Sequence, residues 1–318
     1  MKYRYVFGPV PSRRLGFSLG INNIPYKICS YSCVYCQLGR TLSYSVKRKP
    51  YGDPQKIVDE VEKVLSEKIS VDYITFVPDG EPTLDSNLGR IAGALKSKFE
   101  VPIAIISNSS LIWMDDVVED LSLFDLVSLK VDAVIENTWR RINRPHGSLN
   151  ITMILQGIKD FAKIFKGKII TETMLVEKIN TSKQDLIEIA KFLNEIDPTI
   201  AYISVPIRPP SEKWVRLPKE ETLVEAYNIF SRYLSEGRVS LLNMPESEGF
   251  IVHGEAKQYL LSVLNVHPLR LEYAISILNK EYHDPQSVLQ ELENKKLIKI
   301  ISYGKVKYVV RYFRLSQE

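Results

Sequence analysis

Hydrophobic and polar positions along this chain alternate between two periods. Over residues 54–68, Ile57, Val58, Val61, Val64 and Leu65 recur at helical spacing, and Pro54 suits a first helical turn. Directly after comes Tyr73-Ile-Thr-Phe-Val77, a β-rich run ended by Pro78-Asp79-Gly80. Further strand candidates lie at residues 17–21, 103–106, 126–130, 168–175 and 201–205, and amphipathic helices at 88–98, 149–165 and 183–195. Strand and helix in alternation predict an α/β fold with a parallel sheet, curled into a partial (β/α)6 TIM-like barrel. Chemistry in such barrels gathers at the C-terminal ends of strands, which directs attention to the loop after residues 17–21.

The pattern changes towards the C-terminus. Residues 243–254 (NMPESEGFIVHG) read as a linker, and helical spacing resumes over 258–264, 269–280 and 285–295. Asp284 is an N-cap candidate before Pro285. Apolar strands at 297–301 and 306–313 flank a turn at Tyr303-Gly304-Lys305. Helices followed by a hairpin resemble a winged helix, so two domains are expected, residues 1–245 and 246–318.

Apolar residues make up 45% and charged residues 25% of the chain, enough for a substantial core. A formal charge of +4 does not by itself demand a nucleic-acid partner. No apolar run reaches the ~18 residues of a membrane span, so no membrane partner is expected. The opening MKYRYVFGPV lacks the apolar segment of an export signal, and the thiols suit a reducing, cytoplasmic location.

All three cysteines fall in Cys29-Ser-Tyr-Ser-Cys33-Val-Tyr-Cys36. Thiolates that close together can hold one soft metal centre, and iron–sulfur clusters use cysteine ligands. A four-iron cube bound by three cysteines keeps one iron open to another ligand. A structural zinc site wants four Cys or His ligands, and the nearest histidine in sequence is His146. A disulfide framework wants an even count and a secreted setting.

The C-x3-C-x2-C spacing, with Tyr35 before the last cysteine, resembles the radical S-adenosylmethionine (radical SAM) superfamily. The resemblance implies a [4Fe–4S] cluster on Cys29, Cys33 and Cys36, with SAM on the open iron and Tyr35 beside its adenine. Asp79-Gly80-Glu81-Pro82 is similar to the family's Gly-Gly-Glu-Pro motif, which implies that Gly80, Glu81 and Pro82 contact the SAM ammonium. Asp79 replaces the first glycine. Asn108, within Ser107-Asn108-Ser109, lies where related enzymes contact the SAM carboxylate or ribose. Lys130 and Asp132, at the end of the next strand, are the catalytic candidates. Residues 8–16 (GPVPSRRLG), 36–41 (CQLGRT) and Arg208-Pro209-Pro210 resemble the subgroup that contains tRNA 4-demethylwyosine synthases. Those enzymes hold a second cluster on upstream cysteines, and this chain has no cysteine before Cys29.

Loop arginines complete the picture. Arg13, Arg14, Arg144 and Arg208 are the substrate-binding candidates, because guanidinium forks suit phosphate or carboxylate; Arg40, Arg48, Arg140 and Arg141 are also expected in loops or near strand ends. The reading is an enzyme that cleaves SAM reductively and abstracts hydrogen from its substrate. Ferredoxin or flavodoxin is the implied electron donor. The substrate is tRNA or another RNA, with Lys305, Lys307, Arg311 and Arg314 on the hairpin as a grip. The alternatives are a small anionic metabolite, or a cluster-based DNA-binding regulator. His253, His267 and His283 read as surface or packed residues.

Overall fold

A computed structural model describes residues 4–235, 237–242, 250–252 and 254–312. Its main sheet starts with strand β1 (Val6–Ser12), antiparallel to β2 (Gly16–Ile21). A two-residue pair, β3 (Ile28–Cys29) and β4 (Ser43–Tyr44), pins the loop after β2. The sheet continues with β5 (Tyr73–Phe76), β6 (Ile103–Ser107), β7 (Leu126–Lys130), β8 (Lys168–Met174), β9 (Ile200–Ser204) and β10 (Val239–Leu242). Strand order is β1-β2-β5-β6-β7-β8-β9-β10, and every pair after the first is parallel.

All six expected strands are present, and β1 and β10 are added at the two edges. These edges are not paired with each other, so the barrel is open along one flank. Arg13 Nη1 reaches across that opening to the carbonyl of Leu242, at 2.8 Å.

Helices α1 (Pro54–Leu65), α2 (Leu88–Lys98), α3 (Asp115–Leu121), α4 (Glu136–Asn143), α5 (Ile151–Ile164), α6 (Lys183–Ile196) and α7 (Glu220–Tyr233) connect the strands. Their apolar stripes face the sheet, as Ile57, Val58, Val61 and Val64 do in α1. Local caps fix where they begin: the Asp53, Asn150 and Ser182 side chains accept backbone N–H bonds at the starts of α1, α5 and α6.

The C-terminal unit has its own core around Tyr259, Leu260, Val263, Ile277 and Val309. It runs α8 (Ala256–Val266), β11 (Leu269–Arg270), α9 (Leu271–Leu278), α10 (Pro285–Asn294), β12 (Ile298–Tyr303) and β13 (Val306–Arg311), with sheet order β11-β13-β12. It sits against the open flank: Val10 of β1 packs on its core, and Tyr259 Oη donates to the Pro9 carbonyl. Tyr303 and Tyr308 donate to the carbonyls of Pro206 and Ile207 at 2.9 and 2.7 Å. Most of the expected linker, the boundary at 245, His253, Phe313 and Arg314 lie outside the described residues. Among the described residues no helix is long and apolar enough to cross a membrane.

Candidate active site

After Ile21 the chain leaves the sheet, and the cysteine loop is clamped by the end of α4. Ser32 N donates to Asn143 O (3.0 Å) and Val34 N to Ile142 O (2.9 Å), while Tyr31 bridges to Pro145. Cys29, Cys33 and Cys36 are partly exposed and line one cavity of about 330 Å³. A side-chain nitrogen donates to each sulfur: Asn108 Nδ2 to Cys29 (3.5 Å), Asn143 Nδ2 to Cys33 (3.4 Å) and Lys27 Nζ to Cys36 (3.2 Å). Burial, reinforced by Glu81, pushes the Cys29 thiol up to about 12. Burial and Asp132 push Cys33 up to about 11. These thiols ionise only against a cation, as a metal cluster provides. Among the described residues no three His, Cys, Asp or Glu side chains converge as a single ion requires, whereas a cube takes its ligands at separate corners.

The turn after β5 packs directly on this loop. A Cβ on Gly80 would stand 1.8 Å from the Ile28 carbonyl oxygen, so only glycine allows Glu81 N to bond that carbonyl at 3.2 Å. Glu81 is 1% exposed, and Thr83 and Ser107 hold its Oε1 while Asn108 N holds its Oε2. That carboxylate ties the turn after β5 to the turn after β6. Pro82 is buried and is not part of the cavity wall.

Asp79 does line the cavity. It is 6% exposed; Asn22 donates to its Oδ2 at 2.8 Å, and its Oδ1 is buried with no hydrogen-bond partner among the described residues. An orphaned carboxylate oxygen fits a cationic ligand, which agrees with the ammonium of SAM.

The ends of β7 and β8 supply a second charged layer. Lys130 Nζ donates to Glu172 Oε1 at 3.1 Å and stands 4.8 Å above the Tyr35 ring. Glu172 also accepts from Ser204 Oγ at 2.9 Å and pairs with Arg14. Asp132 is behind this wall, 3% exposed. It accepts from the Tyr35 hydroxyl, Asn143 Nδ2 (2.7 Å) and Met174 N (2.8 Å).

Of the expected substrate arginines, Arg13, Arg14 and Arg208 line the cavity. Arg144 is not part of that wall: it pairs with Glu212 at 2.6 Å, as does Arg40 at 2.7 Å. Arg140 and Arg141 belong to helix α4 rather than to a loop, with Arg140 on Glu136 and Arg141 on the Lys178 carbonyl. Arg48 binds Asp116 and Asp120.

Sequence reasoning passed over Glu172, named Gln37 only within the 36–41 motif and read His267 as a surface or packed residue; all three line the cavity. A glutamate inside the apolar strand Lys168–Met174 was a visible signal, because such a charge is rarely buried without a partner.

The model of the radical SAM superfamily matches residues 23–193. A UPF0026 protein of Methanocaldococcus jannaschii is 46% identical over 95% of both chains. One from Helicobacter pylori is 32% identical over 95% of this chain and 96% of its own. Among solved structures, a radical SAM methyltransferase from Sphaerobacter thermophilus superimposes with a TM-score of 0.54 at 13% identity. It covers 71% of this chain and 66% of that one. Streptococcus suis SuiB bound to S-adenosylmethionine gives 0.53 at 13% identity, over 70% of this chain and 49% of SuiB. At such identities the likeness is one of fold.

Proposed function

Because this chain belongs to the radical SAM superfamily, and with its UPF0026 relatives over nearly its full length, we propose that it cleaves SAM reductively to abstract hydrogen from a substrate. Enzymes of this superfamily use a [4Fe–4S] cluster and SAM and need an electron donor. Cys29, Cys33 and Cys36 would hold that cluster, which when bound would supply the electron for reductive cleavage of SAM to methionine and so the radical chemistry that abstracts hydrogen from a C–H bond.

One observation carries the proposal: three cysteines, each with its own N–H donor, share a cavity with the Asp79-Gly80-Glu81 turn. Cys29, Cys33 and Cys36 hold the cluster. The Asp79 carboxylate accepts from the SAM ammonium, Gly80 lets that turn approach, and Glu81 fixes it. Tyr35, held by Asp132, supports the adenine, and Asn108 faces the ligand from the β6 side. Lys130 and Glu172 form the opposite wall, where a proton can be held beside the reacting carbon. Ferredoxin or flavodoxin supplies the electron in the cytoplasm. The C-terminal unit is read as a winged helix, a reading that the helix, strand, helix, helix, hairpin order over residues 256–311 supports.

Two substrate classes follow. An RNA finds support in the exposed Lys305 and Lys307 of the hairpin, a small anionic metabolite in the arginines of the cavity wall. The test is anaerobic reconstitution with SAM and dithionite, quantifying 5′-deoxyadenosine against Cys33→Ala. Cysteine-dependent product supports the reaction, and equal product in the mutant refutes it.

A further inference from the structure

Cys29, Cys33 and Cys36 line the cavity, yet their loop is also backed by two segments that are not part of its wall. On one side β4 pairs with β3, which sets Tyr44 opposite Cys29, and Ser45 N donates to the Cys29 carbonyl at 3.1 Å. On the other, Ser211 Oγ donates to the carbonyls of Cys33 and Val34 at 3.0 and 2.8 Å. Glu212 joins the two segments, since its carboxylate accepts from Arg40 at 2.7 Å.

These segments present apolar side chains to solvent. Leu42 is 62% exposed, Tyr44 44%, Trp214 46% and Leu217 48%. Large side chains left open on two segments bonded to one loop, and to each other, have the composition of a protein interface with an aromatic centre. The flanks are cationic. Residues 38–50 and 213–219 together hold seven Lys or Arg and no Asp or Glu. Arg48 is taken up by Asp116 and Asp120, whereas Lys47, Lys49, Lys213 and Lys219 are exposed.

We propose that Leu42, Tyr44 and Trp214, with Lys47 and Lys213, form the docking surface for a small acidic protein that carries one electron. This rests on the radical SAM reading, whose enzymes need an electron donor. Charge selects the acidic partner, because opposite potentials speed the encounter and exclude basic proteins. Position selects the electron carrier. A protein seated here lies against the backbone of Cys29 and Cys33, two of the residues assigned to the cluster, and off the cavity assigned to SAM. An electron needs only to reach the cluster: the carrier loses one, the cluster when bound gains one, and no atom or proton moves. An RNA substrate would instead have to deliver a carbon into the cavity, which these residues do not line.

The experiment is anaerobic calorimetry on the reconstituted holoenzyme, with oxidised plant-type ferredoxin, oxidised flavodoxin and bulk tRNA as the probes. One of the two carriers is expected to bind, more weakly as salt is added. Lys47→Glu combined with Lys213→Glu should weaken that binding about tenfold or more, and Leu42→Ser should weaken it without changing its salt dependence. Lys166→Glu, on the exposed turn before β8 at the far end of the barrel, should leave it unchanged. In the same variants the rate of deoxyadenosine formation should fall with the reduced carrier as donor and stay as in wild type with dithionite.

No binding of either carrier, or binding that the charge reversal and Leu42→Ser both leave intact, would overturn the docking surface. Retention of tRNA by these residues, with neither carrier bound, would overturn it in favour of RNA. Deoxyadenosine separates this surface from the reading beneath it. Cysteine-dependent product with dithionite but no carrier binding removes the surface alone. Carrier binding that the variants abolish, with no cysteine-dependent product from either donor, removes the radical chemistry alone.

Discussion

The Asp79 carboxyl offers a test that needs neither cluster nor substrate. It is 6% exposed, one of its oxygens has no hydrogen-bond partner among the described residues, and burial raises it to about 7 against the pull of Asn22 and Lys27. The groups around it are Asn22 on Oδ2, Lys27 from the cysteine loop and the Tyr26 hydroxyl, itself raised by burial and by Asp79. In the unfolded chain the same carboxyl ionises at its ordinary value of 3.8. Between those limits the folded protein binds the extra proton at Asp79, so this group's contribution to stability is highest below about 4, falls as pH rises to about 7, and is flat above. Three pH units at ~1.4 kcal/mol each amount to about 4 kcal/mol, an upper figure because local relaxation lowers it. Asp79→Asn removes the buried charge and keeps the shape. Thermal unfolding of the metal-free protein should therefore give a mutant midpoint several degrees, up to about 10 °C, above wild type at pH 8. That advantage should shrink steadily and vanish near pH 4. The same mutant should bind SAM more weakly once the cluster is restored, because the neutral amide no longer matches an ammonium. A mutant no more stable than wild type at pH 8, or an advantage independent of pH, would refute the reasoning.

Three further substitutions probe other parts of the site. Gly80→Ala places a methyl against the Ile28 carbonyl, and a stability loss of about 2 kcal/mol or more, with reduced iron per chain after reconstitution, is expected from urea melts and iron assay. Asp132→Asn leaves Lys130, 3.6 Å away, with Glu172 as its carboxylate partner and loosens Tyr35; a loss of about 3 kcal/mol is expected, with an altered electron paramagnetic resonance spectrum of the reduced cluster. An unchanged spectrum would show that Asp132 does not position the cluster loop. Tyr259→Phe deletes the bond to the Pro9 carbonyl and should cost about 1 kcal/mol, read as a lower thermal midpoint.

What the sequence disclosed and what it concealed divide along a physical line. The six inner strands were legible because each is a short apolar run buried on both faces, as in Ile103–Ser107. Strand β1 was not, since Pro9 and Pro11 suppress the strand signal and are tolerated only because β1 is an edge. Helix α4 escaped because its inward face is little more than Trp139 and Ile142 among charged neighbours. The cysteines and the turn at residues 79–82 could be read because their chemistry is carried by local spacing. Partners could not: Arg40 and Glu212 are 172 residues apart, and nothing near Arg144 showed that it would join them. The loop arginines thus split into those that face the cavity and those consumed by ion pairs, a division that only the fold makes.

The carboxylates of the site divide in the same way, and their hydrogen bonds say how. Glu81 and Asp132 have donors on both oxygens, and each ties two chain segments together. Charges held that firmly in a buried place act through what they position. Glu81 sets the turns after β5 and β6, and through Asn108 it reaches Cys29; Asp132 sets Tyr35 and, through Asn143, reaches Cys33. Asp79 is the opposite case, with an oxygen left over inside the cavity. Glu172 stands between, shared by Lys130, Arg14 and Ser204. The cysteine loop is thus supported from two strands by carboxylates with donors on both oxygens, while Asp79 keeps an oxygen without a hydrogen-bond partner among the described residues. A site arranged this way keeps its geometry when the ligand leaves, at the cost of a strained charge at residue 79.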